Sequence, residues 1–332
     1  MSPSSEPPPR YLAYLQLVRL PAVFTAMADI LMGFLFTHGS LDPWKPFVAL
    51  LLSSSAIYLA GMVLNDVFDY EIDLRERPHR PLPSGRISRR WAIWFGFQLL
   101  LAGIVASYVA TALTGDSRCG MIAAILAAAV IAYDRFLKHT PLGPLAMGLC
   151  RFLNVLLGMS TLSNWDTGDP QAWQAIHYVA AGAIGVYVVG VTWFARNEAG
   201  RSRPLQLMLG ALTMWLGIAM LGALWQWRDD PALLGLTQLP WGAWQWFGIA
   251  AFVALGSTWR CWQAVFEPEP AVVQGAVRNA LFWLILLDTI ACVAATGMST
   301  GPGLNGHIVP WPFFVFVLLL PARFLGRWVY AT

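Results

Sequence analysis

Ten separate stretches of this chain are apolar over roughly the 20 residues that a helix needs to cross the hydrocarbon core of a bilayer. They run over 21–38, 45–65, 90–112, 119–134, 142–162, 174–194, 204–225, 242–263, 277–297 and 308–326. The fourth is short, and the eighth carries more polar and Trp residues than the rest. Only 12% of the 332 residues are charged, against about 25% in soluble domains. That excludes an ordinary cytosolic enzyme and a disordered chain. The net charge of +3 is too small for a phosphate-tracking surface, so no nucleic-acid partner is expected. The fold class that follows is all-α, a polytopic transmembrane bundle of nine or ten spans in the lipid bilayer.

The cations test that division. Alternating sides from a cytoplasmic N-terminus puts 17 of the 21 Lys and Arg on the cytoplasmic side. Lys45, Arg118 and Arg228 fall opposite, and Arg151 falls inside a span. Positive residues stay cytoplasmic, so the asymmetry supports the spans and the orientation together. A multi-pass protein with a cytoplasmic N-terminus, in the plasma membrane of a bacterium, is the expectation. Residues 1–9 (MSPSSEPPP) read as a disordered cytoplasmic tail, with 1–10 as its bounds, and not as a signal peptide. The four cysteines have neither disulfide nor metal-ligand spacing, and many of the 17 Trp cluster near span ends as an interfacial belt.

The chemistry is concentrated after the second span, in NDVFDYEIDLRERPHRPLPSGRIS from Asn65. Asp66, Asp69 and Asp73 are spaced i, i+3, i+7 and fall within about 60° of one another on a helix. Three like charges on one face are costly unless something positive sits on them. Clustered carboxylate oxygens suit Mg²⁺, which takes one or two carboxylates together with phosphate oxygens and water. Arg75, Arg77, Arg80 and Arg86 follow, and could take up the remaining charge of a diphosphate.

NDVFDYEID and its continuation PHRPLPSGRIS resemble the aspartate-rich motif of the UbiA family of intramembrane prenyltransferases. The segments LVRLPAVFTAMADILMGFL, KHTPLGPLAMGLCRFLNVLLGMS and TWFARNEA resemble its EboC-like branch. The resemblance implies a helical bundle over residues 11–300, with 301–332 as an added C-terminal span. It implies that Asn65, Asp66, Asp69 and Asp73 hold Mg²⁺, and that Tyr133 and Lys138 lie after the fourth span with Lys138 facing the diphosphate. The family's second aspartate-rich motif, after the sixth span, corresponds here to TWFARNEAGRSRPLQLMLG. No aspartate is present there. Asn197 and Glu198 are its oxygen donors, with Glu198 the metal ligand, beside Arg196, Arg201 and Arg203.

Three ionisable residues fall inside spans: Asp29, Arg151 and Asp288. Charges in hydrocarbon face the bundle interior and pair. Arg151, with Asn154 on the same helix face, is expected either to pair with Asp29 or Asp288 or to point into the substrate cavity. The combined reading is Mg²⁺-dependent transfer of a prenyl group from an isoprenoid diphosphate to an aromatic or other electron-rich, lipophilic acceptor. Asp66, Asp69, Asp73 and Lys138 would be catalytic. Asn65, Arg77, Arg80, Tyr133, Arg151, Asn154, Asn197 and Arg203 would bind substrate. The altered second motif keeps an alternative open, a non-catalytic protein that binds an isoprenoid or its product for a pathway or for export. A transporter is the third reading, with neither an internal repeat nor midplane carboxylates in its favour.

Overall fold

Every backbone polar group in a bilayer must be satisfied within the segment, and the chain does this with helices throughout. The computed structural model describes residues 10–161, 172–197, 202–227, 229, 242–296 and 311–330. Among them no strand occurs. The helices are α1 (Arg10–Leu17), α2 (Leu20–His38), α3 (Trp44–Phe68), α4 (Tyr70–Glu76), α5 (Arg89–Thr114), α6 (Arg118–Ala132) and α7 (Gly143–Gly158). They continue with α8 (Ala175–Ala195), α9 (Pro204–Gly222), α10 (Ala243–Phe266), α11 (Pro270–Thr296), α12 (Trp311–Val317) and α13 (Leu319–Tyr330).

A helix lies at each of the ten apolar stretches. Seven are long and apolar enough to cross a membrane by length and composition: α2, α3, α5, α6 with its extension to Leu137, α8, α9 with its extension to Trp227, and α11. The last stretch is not one helix, because the chain breaks at Leu318 between α12 and α13. The expected tail over 1–9, and residues 301–310, lie outside the described residues.

Local sequence sets the helix ends. Pro21, Pro144 and Pro204 stand in the first turns of α2, α7 and α9, where the missing N–H costs nothing. Gly39 and Gly115 end α2 and α5 in the left-handed conformation, at φ 66° and 75°, which glycine adopts without strain. Ser88 Oγ accepts from the Trp91 N–H and starts α5.

The packing order closes a ring. α3 packs on α5 and α2, α6 on α5 and α7, α8 on α7 and α9, and α10 on α9 and α11. α11 then returns to α2. α12 and α13 lie outside that ring, against α11 and α2. Apolar side chains such as Phe97, Leu101, Val105, Leu216 and Phe252 point outward, as lipid contact requires. Between helices, lipid supplies no hydrophobic drive, so close backbone approach matters. Gly33 on α2 and Gly158 on α7 provide it, since a Cβ at Gly33 would lie 2.5 Å from the Val155 carbonyl oxygen. The chain is an integral membrane protein built as a helical bundle.

Candidate diphosphate site and membrane cavity

The motif begins in the last turn of α3 and runs through α4. The helix breaks at Asp69 (φ −82°, ψ 0°), yet the path stays nearly helical. Asp69 N–H donates to the Asn65 carbonyl at 3.0 Å, and Asp73 N–H to the Asp69 carbonyl at 2.9 Å. Asn65, Asp66, Asp69 and Asp73 therefore come off neighbouring turns. Asp66 and Asp73 are 4% and 3% exposed, and buried carboxylates need counter-charge.

The counter-charge comes from three cations on separate segments, Arg19, Arg80 and Lys138. Arg80 Nη1 lies 2.7 Å from Asp73 Oδ2 and 3.5 Å from Asp66 Oδ1. Arg19 Nη2 donates to Asp66 Oδ1 at 3.1 Å. Lys138 Nζ donates to Asn65 Oδ1 at 2.8 Å and also pairs with Asp69. His139 Nε2 stands 3.7 Å from the other Asp69 oxygen. The sequence reading aimed Arg80 and Lys138 at phosphate. In the structure both hold the aspartates, because a bare buried carboxylate takes the nearest cation. Arg77, half-buried at the end of α4, makes no ion pair among the described residues. Arg86 instead orders the Pro-rich loop, donating to the His79 carbonyl at 2.8 Å and to Ser84 Oγ at 3.1 Å.

Two of these contacts depend on backbone that hydropathy does not reveal. Arg19 adopts the left-handed conformation (φ 46°, ψ 48°) between α1 and α2. That region is strained for a side chain with a Cβ, and such strain gathers at working sites. It turns Arg19 toward Asp66, a role sequence reasoning missed because Arg19 counted only toward topology. The second is a π turn over Tyr133–Leu137 (YDRFL), closed by Lys138 N–H to the Tyr133 carbonyl at 2.9 Å. One extra residue in the turn lets Tyr133 and Asp134 face a cavity while Lys138 reaches Asp69. Asp134 was also missed.

That cavity, of about 60 Å³, lies between α2, α3, α6 and α7. Ile57, Met62, Leu126, Val130 and Met147 make its walls apolar. Tyr133 and Asp134 line it beside the motif; Arg151 and Asn154 line it from α7. Arg151 also makes the expected pair. Its Nη1 donates to Asp29 Oδ2 at 2.9 Å and its Nη2 to Thr25 Oγ1 at 2.6 Å. Asn154 Nδ2 donates to Asp29 Oδ2 at 2.8 Å, and its Oδ1 accepts from Ser54 Oγ at 2.6 Å. The two alternatives for Arg151 are thus not exclusive, since it joins α2 to α7 and lines the cavity as well. Asp29 Oδ1 and both Asp288 oxygens have no hydrogen-bond donor among the described residues.

The described residues of the second motif make their bonds elsewhere. Asn197 is exposed and donates to Gln206 Oε1 at 2.9 Å. Arg203 is exposed at the start of α9. Among the described residues neither bonds to the α3–α4 carboxylates. Glu198 and Arg201 lie outside the described residues.

A profile of the UbiA prenyltransferase family matches residues 26–286. A digeranylgeranylglyceryl phosphate synthase of Methanococcoides burtonii is 35% identical over 136 residues, covering 39% of this chain and 47% of that protein. The chain spans about half the length of the curated relatives it matches. A solved structure concerning digeranylgeranylglyceryl phosphate synthase in membranes superimposes with a TM-score of 0.59 at 20% identity, covering 86% of this chain and 99% of that one. An apo UbiA homologue from Aeropyrum pernix K1 gives a TM-score of 0.54 at 17% identity, covering 81% and 96%. These structures share the helical bundle. With the family profile extending over most of the chain, the protein belongs to the UbiA prenyltransferase family.

Proposed function

We propose that the chain transfers a prenyl group from an isoprenoid diphosphate to an aromatic or other electron-rich, lipophilic acceptor inside the membrane. The observation that carries this is the joining of a charged cluster to an apolar cavity. Lys138, which holds Asn65 and Asp69, follows the turn whose Tyr133 and Asp134 line a cavity walled in part by Ile57, Met62 and Val130.

The donor set suits Mg²⁺ in its chemistry, although among the described residues no three of these groups converge while they face Arg19, Arg80 and Lys138. Asn65, Asp66, Asp69 and Asp73 offer only hard oxygens, three of them carboxylates. They would hold the ion, with Glu198 as a further ligand. Bound Mg²⁺ supplies Lewis-acid stabilisation of the leaving diphosphate. The chain's own residues do the rest. Arg77 meets the diphosphate directly. Lys138, Arg19 and Arg80 are released to phosphate oxygens as the aspartates gain another positive partner. The allylic C–O bond then breaks with its electron pair leaving on the diphosphate. The carbon cation forms among Ile57, Met62 and Val130, where water is excluded. Tyr133 offers an electron-rich ring at that wall.

The site loops and the N-terminus face the cytoplasm in this reading, in the plasma membrane of a bacterium, and α12 with α13 forms a segment added to the family's bundle. A second reading has one specific observation in its favour. The aspartates are already neutralised by Arg19, Arg80 and Lys138, as they would be in a protein that binds an isoprenoid without transferring it. Purified protein incubated with Mg²⁺, a panel of isoprenoid diphosphates and aromatic acceptors separates the two. Diphosphate release that disappears in Asp66→Ala and Asp69→Ala supports transfer. Metal-dependent binding without release supports the second reading.

A further inference from the structure

Away from the aspartate cluster, three arginines line a single cleft. Arg260 comes from α10, Arg278 from α11 and Arg323 from α13. The cleft has a volume of about 520 Å³, and its other walls include Phe282, Trp283 and Leu286. No aspartate or glutamate lines it. Among the described residues none of the three arginines makes an ion pair.

The positive-inside rule accounts for the side on which these cations lie, but not for their facing one cleft. Arg278 lies eight residues into α11, about 12 Å along the helix. Arg260 lies six residues before the end of α10, about 9 Å inside it. All three are exposed, yet guanidinium groups lining one cleft repel one another. An anion among them relieves that repulsion.

We propose that this cleft is a second anion site, one that takes the phosphate monoester of a lipid-like amphiphile. Guanidinium groups match phosphate oxygens in pairs, and basic pockets between membrane helices suit lipid head groups. The aromatic and aliphatic walls take the tail. The cleft also leads inward. It shares Arg278, Phe282 and Arg323 with a neighbouring cavity that reaches Thr25, Tyr58 and Arg151. Tyr58 and Arg151 in turn line the cavity beside the aspartates. A resident membrane lipid and a lipid-like acceptor both carry the required chemistry. The proposal does not rest on prenyl transfer, because binding is measured without any isoprenoid diphosphate.

The test uses the full chain in detergent and native mass spectrometry. The probes are dioleoyl phosphatidic acid, lysophosphatidic acid, dioleoyl phosphatidylcholine and inorganic phosphate. The wild type is expected to bind both phosphate monoester lipids at least tenfold tighter than phosphatidylcholine, from roughly fivefold per arginine. Arg323→Gln should lose about one such factor, and the Arg260→Gln, Arg278→Gln, Arg323→Gln triple variant should lose the preference. The single variant keeps the test valid if the triple variant does not fold. Adding Mg²⁺ and an isoprenoid diphosphate then separates the sources. Consumption of lysophosphatidic acid marks an acceptor, and an unchanged probe marks a resident lipid; either supports the site. Equal affinity for phosphatidic acid and phosphatidylcholine would overturn it, as would a preference undiminished in Arg323→Gln. Inorganic phosphate binding as tightly as the lipids would overturn recognition of an amphiphile.

Discussion

Lys138 Nζ donates to Asn65 Oδ1 at 2.8 Å, bridging 73 residues of sequence between the π turn after α6 and the last turn of α3. The same ammonium pairs with Asp69. One side chain therefore fixes the motif against the far wall of the cavity and supplies a cation for a diphosphate.

Lys138→Met is expected to lower kcat/KM for diphosphate release by about 10²–10³, the range for removing one preorganised charged donor from a transition state. Lys138→Arg should restore part of that loss, because the charge returns with a different reach. Steady-state diphosphate release measures both. A fall of only a few-fold in Lys138→Met would remove Lys138 from the chemistry.

Arg151→Met should destabilise the protein by about 3–5 kcal/mol, the cost of leaving a buried partner charge uncompensated. Asp29 is fully buried, so water does not take over. Adding Asp29→Leu to the same chain should recover much of the loss, giving a coupling energy of about 0.5–3 kcal/mol in a double-mutant cycle. Thermal unfolding in detergent reads this directly. Additive losses would mean that the 2.9 Å contact contributes nothing specific.

Gly33→Leu should lower the unfolding temperature sharply, since even a Cβ there would lie 2.5 Å from the Val155 carbonyl oxygen. Gly33→Ala should cost about 1–3 kcal/mol by forcing α2 and α7 apart. Gly248→Ala is a useful contrast, because nothing lies within 4 Å of a Cβ at that position.

The helices were legible because a bilayer demands long apolar runs, and the motif was legible because NDVFDYEID is spaced for one helix face. That Arg151 would pair with Asp29 or Asp288 also follows from the scarcity of charge inside spans, and the structure selects Asp29. What could not be read depends on backbone geometry. The π turn that aims Lys138 and Asp134 has no hydropathy signal, and neither does the left-handed Arg19. The break at Leu318 falls inside FVLLLPAR, where the composition is continuous. The pairing of Arg80 with Asp66 and Asp73 was hidden for a different reason. Charge patterning shows which cations are near, but not which of them a buried carboxylate claims.

The central claim is that Asp66 and Asp69 bind Mg²⁺ and diphosphate for transfer. Its most direct measurement is Mg²⁺-dependent diphosphate release by the wild type and by Asp66→Ala and Asp69→Ala. The account predicts release that EDTA abolishes and that each substitution lowers by at least 10²-fold in protein that remains folded. Release unchanged in both variants, or unaffected by EDTA, would contradict it.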